Sequence, residues 1–151
     1  MQIYLAGSCA SEQRTVMVSI AAALRKANYK VYCPFELKIP NAWDMSQERW
    51  GQKVFEADIA AINEADIFLM ITPGRQSSAG TNWEQGYAYA IGKTIFVFQI
   101  TEETTSLMTY AGCNYFFNVI NKDLPEYIVK TLKDYTGQDF RTKNPCKTVL
   151  T

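Results

Sequence analysis

Two apolar runs separated by one helix-length segment constrain this chain more than anything else in it. Ile67 to Ile71 and Thr94 to Phe98 are rich in β-branched and aromatic residues, with no charged residue among them. Such runs read as strands buried on both faces, the habit of parallel sheets. Between them, Gly80 to Lys93 opens with small residues and continues as a helix. Strand, loop, helix, strand is one βαβ unit. Ligands in open α/β sheets bind outside the carboxyl ends of the strands. Glu84, read as lying in the first turn of this helix, therefore stands where a reactive carboxylate is expected. The helix dipole there would favour its ionised, nucleophilic form. A capping box is the plainer explanation of the same residues. In Thr81-x-x-Glu84 the hydroxyl takes one unpaired amide and the carboxylate reaches back to another. Glu84 serves both purposes only if its side chain turns away from the cap.

The rest of the chain supplies more units of the same kind. Ile3 to Leu5 reads as a first strand, followed by the turn Ala6-Gly7-Ser8. A glycine at that place either lets backbone approach a ligand or simply makes the turn. Val16, Ile20, Ala23, Leu24 and Ala27 recur at helical spacing, predicting a helix over residues 11–28 with Ser11 as cap and Asn28 at its end. Lys30 to Cys33 is a short second strand stopped by Pro34. Residues 34–47 form a long loop carrying Trp43 and Met45, either a wall over a site or a cover for one core edge. A helix over 48–63 follows, with Phe55, Ile59 and Ile62 as its buried stripe. Asp58 lies beside that stripe, so it is a site carboxylate or a residue at the solvent boundary. Asp66 reads as a turn residue at the far end of the third strand. The segment Thr72 to Gly80 holds Arg75, Ser77 and Ser78 before a helix N-terminus, which suits an anion or an ordinary surface loop equally. Asn114 to Asn118 is a short fifth strand, and Asp123 to Tyr135 a final helix ended by Gly137.

The fold expected is therefore a single α/β domain over residues 1–137, a doubly wound three-layer sandwich on a largely parallel five-stranded sheet of flavodoxin or Rossmann type. Residues 138–151 read as a tail, or as an arm onto a partner subunit. At 151 residues, 48% of them apolar, the chain can bury one sizeable core. Fifteen basic residues balance fifteen acidic ones. That balance argues against a nucleic-acid polymer or an anionic membrane as partner. The chain has no histidine, which removes histidine bases, histidine triads and most catalytic zinc sites. Its four cysteines are scattered, as in a reduced cytoplasmic protein. Cys9 lies in an expected site loop with no activating base in view.

The segment GTNWEQGYAYAIGK, placed after FEADIAAINEADIFLMI, resembles the nucleoside 2-deoxyribosyltransferase family. The resemblance runs over residues 1 to about 100, and Glu-x-Gly-Tyr-Ala is its specific part. It implies cleavage of the N-glycosidic bond of a 2′-deoxynucleoside or its monophosphate, with a free nucleobase as acceptor and no metal or cofactor. Glu84 would attack C1′ and form a covalent deoxyribosyl-enzyme. Asp58 matches the family's second carboxylate and would help protonate the departing base. Tyr4 matches its site tyrosine and would orient Glu84, with Gly7 and Gly80 contacting the substrate. Family members assemble as homodimers or larger homo-oligomers with shared sites, and Asn114 is the expected contribution to a neighbour's pocket. One position departs from the pattern. Where classical transferases hold the sugar 5′-hydroxyl with an Asp, this chain has Ser78. The related deoxynucleoside 5′-monophosphate N-hydrolases carry a serine there, against the phosphate. Their arginine-bearing loop after the first strand is not reproduced, since Ser8 to Ser11 stands in its place with Arg14 further on. Transferase is thus the first reading and nucleotide hydrolase the second. A nucleotide-binding domain without turnover is the alternative from another class.

Overall fold

The computed structural model describes residues 1–8, 11–120, 122–135, 142–143 and 149–150. Cys9 and Gly137 lie outside the described residues. In chain order the elements are β1 (Gln2–Ala6), α1 (Ser11–Lys26), β2 (Lys30–Tyr32), α2 (Gln47–Glu64), β3 (Ile67–Thr72), α3 (Ala79–Ala90) and β4 (Thr94–Gln99). They continue with β5 (Thr105–Ser106), α4 (Leu107–Ala111), β6 (Tyr115–Asn118), α5 (Leu124–Asp134), β7 (Thr142–Lys143) and β8 (Val149–Leu150). The main sheet has the order β2-β1-β3-β4-β6-β7, and every pairing in it is parallel. Five strands carry it, and two-residue β7 extends one edge. A second small pairing joins β5 to β8.

The apolar strands are double-faced, as their composition requires. Ile3, Leu5, Ile67, Leu69, Ile71, Phe96 and Phe98 point to one face, where Met17, Ile20, Ala21 and Leu24 of α1 meet Ile128 and Leu132 of α5. Tyr4, Ala6, Phe68, Met70, Ile95 and Val97 point to the other, against Ala61 and Ile62 of α2 and Ala88 of α3. The period-2 alternation thus assigns each strand residue to one of two cores. On this second face, Tyr32, Tyr4 and Phe68 are register partners across β2, β1 and β3. Among the described residues, no helix is long and apolar enough to cross a membrane.

Most predicted boundaries hold within two residues, and their causes are visible. Asn28 ends α1 in the left-handed conformation, φ 70°, which asparagine tolerates better than most residues. Ser46 caps α2 by accepting the Arg49 amide. Asp123 caps α5 by accepting the Glu126 amide. Asp66 accepts the Gln2 amide at 2.7 Å and ties the starts of β1 and β3 together. One stripe is corrected. Phe55 is exposed, and the inner face of α2 runs through Ala61, Ile62 and the start of the next segment at Ala65. The helix is turned so that Val54 and Asp58, not Phe55, face inward over the strand ends.

The connection from β3 to α3 is pinned at its turn. Thr72 Oγ1 accepts the Gly74 amide at 3.1 Å, and the Arg75 amide donates to the Thr104 carbonyl at 2.7 Å. Gly74 has φ +104°, and a Cβ there would lie 2.8 Å from the Thr104 oxygen. Replacing Gly74 by Ala should lower stability by about 1–3 kcal/mol. A urea titration reads this as a lower midpoint at unchanged slope.

Candidate active site

The sheet order places β1 between β2 and β3, so the chain reverses direction across the sheet at the carboxyl ends of β1 and β3. That is the switch point where α/β folds leave a crevice. Gly7 follows β1 there. A Cβ on Gly7 would stand 2.6 Å from Met17 Cε, so the bare backbone lets α1 close against the strand end. The loop after β3 enters α3 through Ser78. Its Oγ accepts the Thr81 amide at 3.3 Å and lies 2.7 Å from Thr81 Oγ1.

Ser78 is thus the cap of α3, which corrects the sequence reading. The helix starts at Ala79, three residues earlier than a Thr81 cap requires, and Glu84 lies in its second turn. The capping box is therefore not formed. The dipole's influence falls off within the first turn, so burial governs Glu84 in its place. Burial pushes its carboxyl from 4.5 up to about 7, a hydrogen bond from the Tyr4 hydroxyl restrains the rise, and the Asp58 charge adds to it. Glu84 is held mostly protonated below neutrality, the reverse of what a dipole-stabilised carboxylate would show.

Tyr4 explains how the carboxyl is held. Its side chain is fully buried, and among the described residues no group meets its hydroxyl in hydrogen-bond geometry. An unpaired buried donor is costly, and Glu84 is the carboxylate that acts on it most strongly. Burial and the Glu84 charge together push the phenol well above its ordinary range, so it stays a donor. Asp58 comes from α2 on the opposite wall. Burial raises its pKa, and a hydrogen bond from the Tyr32 hydroxyl, 2.8 Å from Oδ1, counters that rise.

Glu84 and Asp58 share a cavity of about 550 Å³ with Gly7, Ser8, Ser78, Gly80 and Thr81. Pro34, Phe35, Leu37 and Ile39 line it too, so the long loop after β2 is a wall of the site. Trp50 and Val54 complete the α2 side. The two carboxyls also border a smaller cleft with Phe55, Ile59 and Trp83. A separate groove between α3 and α4, lined by Gln85, Tyr89, Met108 and Thr109 among others, has no carboxylate in its wall. Tyr87 Oη donates to Asn63 Oδ1 at 2.9 Å. Lys93 Nζ donates to the Asn63 and Ala65 carbonyls at 2.6 and 2.8 Å. These bonds lock the end of α2 to α3 and so fix the spacing between the two acids.

The structure brings together Glu84, Asp58, Tyr4, Gly7, Ser78 and Gly80. It does not bring Asn114 to them. Asn114 Oδ1 accepts the Ile95 amide at 2.9 Å, at the start of β4 and the opposite end of the sheet. Arg75 donates its backbone amide to the loop and is not in the cavity wall. Arg14 is closer to the site, its guanidinium 5.9 Å from the ring centroid of Phe35, a wall residue. Tyr32 escaped the sequence reading. Its signal was a tyrosine at the end of the second strand, just before the proline that opens the site loop.

The model of the nucleoside 2-deoxyribosyltransferase family matches residues 3–143, nearly the whole chain. The protein belongs to the nucleoside 2-deoxyribosyltransferase family. A 2-deoxyribosyltransferase from Bacillus psychrosaccharolyticus has a similar structure, with 28% identity and a TM-score of 0.77 over 96% of this chain and 100% of that one. A CMP N-glycosidase from Clostridium botulinum shares the fold at 19% identity, TM-score 0.59, over 88% of this chain and 99% of that one. A conserved protein from Enterococcus faecalis does so at 16%, TM-score 0.58, over 95% and 81%. No curated protein matches. Nucleoside 2-deoxyribosyltransferases and their relatives are N-glycosyl transferases and hydrolases acting on nucleosides or nucleotides, so this chain is an enzyme of that kind.

The raised Glu84 pKa carries a stability consequence with a defined sign. Between 4.5 and about 7 the folded protein holds a proton on Glu84 that the unfolded chain has released. Stability contributed by this group therefore falls as pH rises through that window and stays low above it. Glu84→Gln removes the charged form altogether. At pH 8 it should stabilise the protein, by at most on the order of 3 kcal/mol, and at pH 4 it should change little. Thermal melts of the two proteins at both pH values check this.

Proposed function

We propose that this protein is a nucleoside 2-deoxyribosyltransferase working through a deoxyribosyl ester on Glu84. The observation that carries the reading is the pair of half-buried carboxyls, Glu84 and Asp58, facing one cavity, with the Tyr32 hydroxyl bonded to Asp58 and the buried Tyr4 phenol interacting with Glu84. A Glu84 carboxylate oxygen attacks C1′ as the C1′–N bond breaks. The bonding pair leaves with the base, which takes a proton from Asp58. The ring passes through an oxocarbenium-like state that the adjacent negative charge stabilises. An acceptor base then attacks C1′ from the vacated side and releases Glu84, and its surplus proton returns to Asp58. Tyr4 supports this cycle by donating to Glu84, which aims one carboxyl oxygen and stabilises the ionised form. Gly7 and Gly80 give the sugar access to backbone on either side.

A second reading, hydrolysis of deoxynucleoside 5′-monophosphates, is favoured by Ser78. At the cavity rim it offers a hydroxyl and the first amides of α3 where an acid would repel a phosphate, with Arg14 against the Phe35 wall beyond it. In either reading the enzyme acts as a homo-oligomer. That assembly is supported by the exposed Phe55 and Trp83 on the α2–α3 layer, where the Trp83 ring meets those of Phe55 and Tyr87.

Chromatography of free base from deoxynucleosides and from their 5′-monophosphates, each with and without an acceptor base, tests the proposal. Exchange of base on unphosphorylated deoxynucleosides is the expected result. Release from monophosphates alone, indifferent to acceptor, selects the hydrolase. Glu84→Gln should cut turnover roughly a thousandfold or more while leaving substrate affinity within a few-fold. A protein that binds nucleotides but releases no base with Glu84 intact would be a binding domain instead.

A further inference from the structure

Resting on Asp58 as the proton carrier of the proposed reaction, we infer that Tyr32 is a positioning residue, whose hydroxyl holds Asp58 Oδ1 and leaves Oδ2 to serve the substrate. None of the roles assigned above includes Tyr32, and the observations that single it out are independent of one another. Its hydroxyl donates to Asp58 Oδ1 at 2.8 Å, across 26 residues of chain. Its ring is held by the sheet. Pairing of β1 with β2 sets Tyr32 beside Tyr4, and the rings stack at 5.4 Å with planes 19° apart. Tyr4 stacks in turn on Phe68 at 5.4 Å and 9°. A ring in such a row has little freedom to swing, so the hydroxyl is delivered to one place.

The consequence for Asp58 is chemical. A carboxyl with one oxygen committed as an acceptor carries its mobile proton on the other. Tyr32 itself does not compete for that proton. Burial first, and then the Asp58 bond, push its phenol well above the ordinary tyrosine range, so it remains a donor throughout the pH range of an enzyme. The other titratable groups facing Asp58 are Tyr4 from β1 and Glu84 from α3, both of which interact with it electrostatically. The loop side contributes the apolar Pro34, Phe35, Leu37 and Ile39. Among the described residues, the hydrogen-bond donor to the Asp58 carboxyl is thus Tyr32. A group that orients an acid–base residue in this way is the third member of a relay, the generalised form of the triad arrangement.

Tyr32→Phe removes the hydroxyl and keeps the stacked ring, so the fold is retained. Two measurements decide the inference. In protein labelled with ¹³C at aspartate carboxyls, the Asp58 resonance should titrate at higher pH in Tyr32→Phe than in the parent protein. In steady-state assays of base release, Tyr32→Phe should lower kcat about tenfold with KM little changed. The same substitution in an Asp58→Ala background should cost nothing further. An unmoved Asp58 titration, or an equal loss in both backgrounds, would overturn the assignment. Absence of base release by the parent protein would instead remove the proposed reaction, and the NMR titration would still decide whether Tyr32 governs Asp58.

Discussion

Every feature of this molecule follows from the demand that its central strands be buried on both faces and run the same way. Strands β3 and β4 have no polar face to offer water. Helices must therefore cover both sides, and each parallel step must cross over through one of them. The crossovers bring every strand-to-helix connection to one end of the sheet. The site is assembled there from β1, β2, α2 and α3, elements far apart in sequence. Asp58 and Glu84 lie on two different helices, yet their spacing is set because both helices pack on the same strands and are bonded to each other through Lys93 and Tyr87.

Within that frame the chemistry depends on burial rather than on charge partners. A chain without histidine must obtain a group that titrates near neutrality by displacing another type. Here the displaced group is a glutamate. Low exposure raises it, and a neighbouring phenol keeps the rise from going further. The aspartate is treated in the same way with a second phenol. The two tyrosines are neighbours across β1 and β2, so a single strand pairing brings both phenols to the carboxyls.

Much of this was legible in the sequence because it depends on local pattern. The apolar runs marked β3 and β4, and Asp123, read as the start of the final helix, proves to be its cap. Glu84 and Asp58 were singled out by position and resemblance, and in the folded chain both border one cavity. The misreadings arose where two local signals compete or where the answer lies between elements. Ser78 and Thr81 are both good caps, three residues apart, and the spacing of Thr81 with Glu84 made the later one attractive. In the folded chain Ser78 accepts the Thr81 amide and shares a hydrogen bond with its hydroxyl, which leaves Thr81 inside the helix. Phe55 and Asp58 lie on adjoining strips of α2, and hydrophobic period alone does not say which strip faces the sheet. Tyr32 could not be found from one strand, because its partnership with Tyr4 is a matter of register between two.

The absence of histidine reaches beyond the choice of catalytic groups. Apart from the amino terminus, no side-chain type in this sequence ordinarily exchanges protons at pH 7. The site glutamate is consequently the dominant proton store of the molecule at neutrality. When the proposed ester forms, the free base carries away one proton, which a protonated glutamate supplies and an ionised one draws from the buffer. Heats of mixing with substrate would then depend on the ionisation enthalpy of the buffer chosen, with almost no background from the rest of the surface. On the proposed reaction, that dependence would report through a single site whether the glutamate is free or esterified.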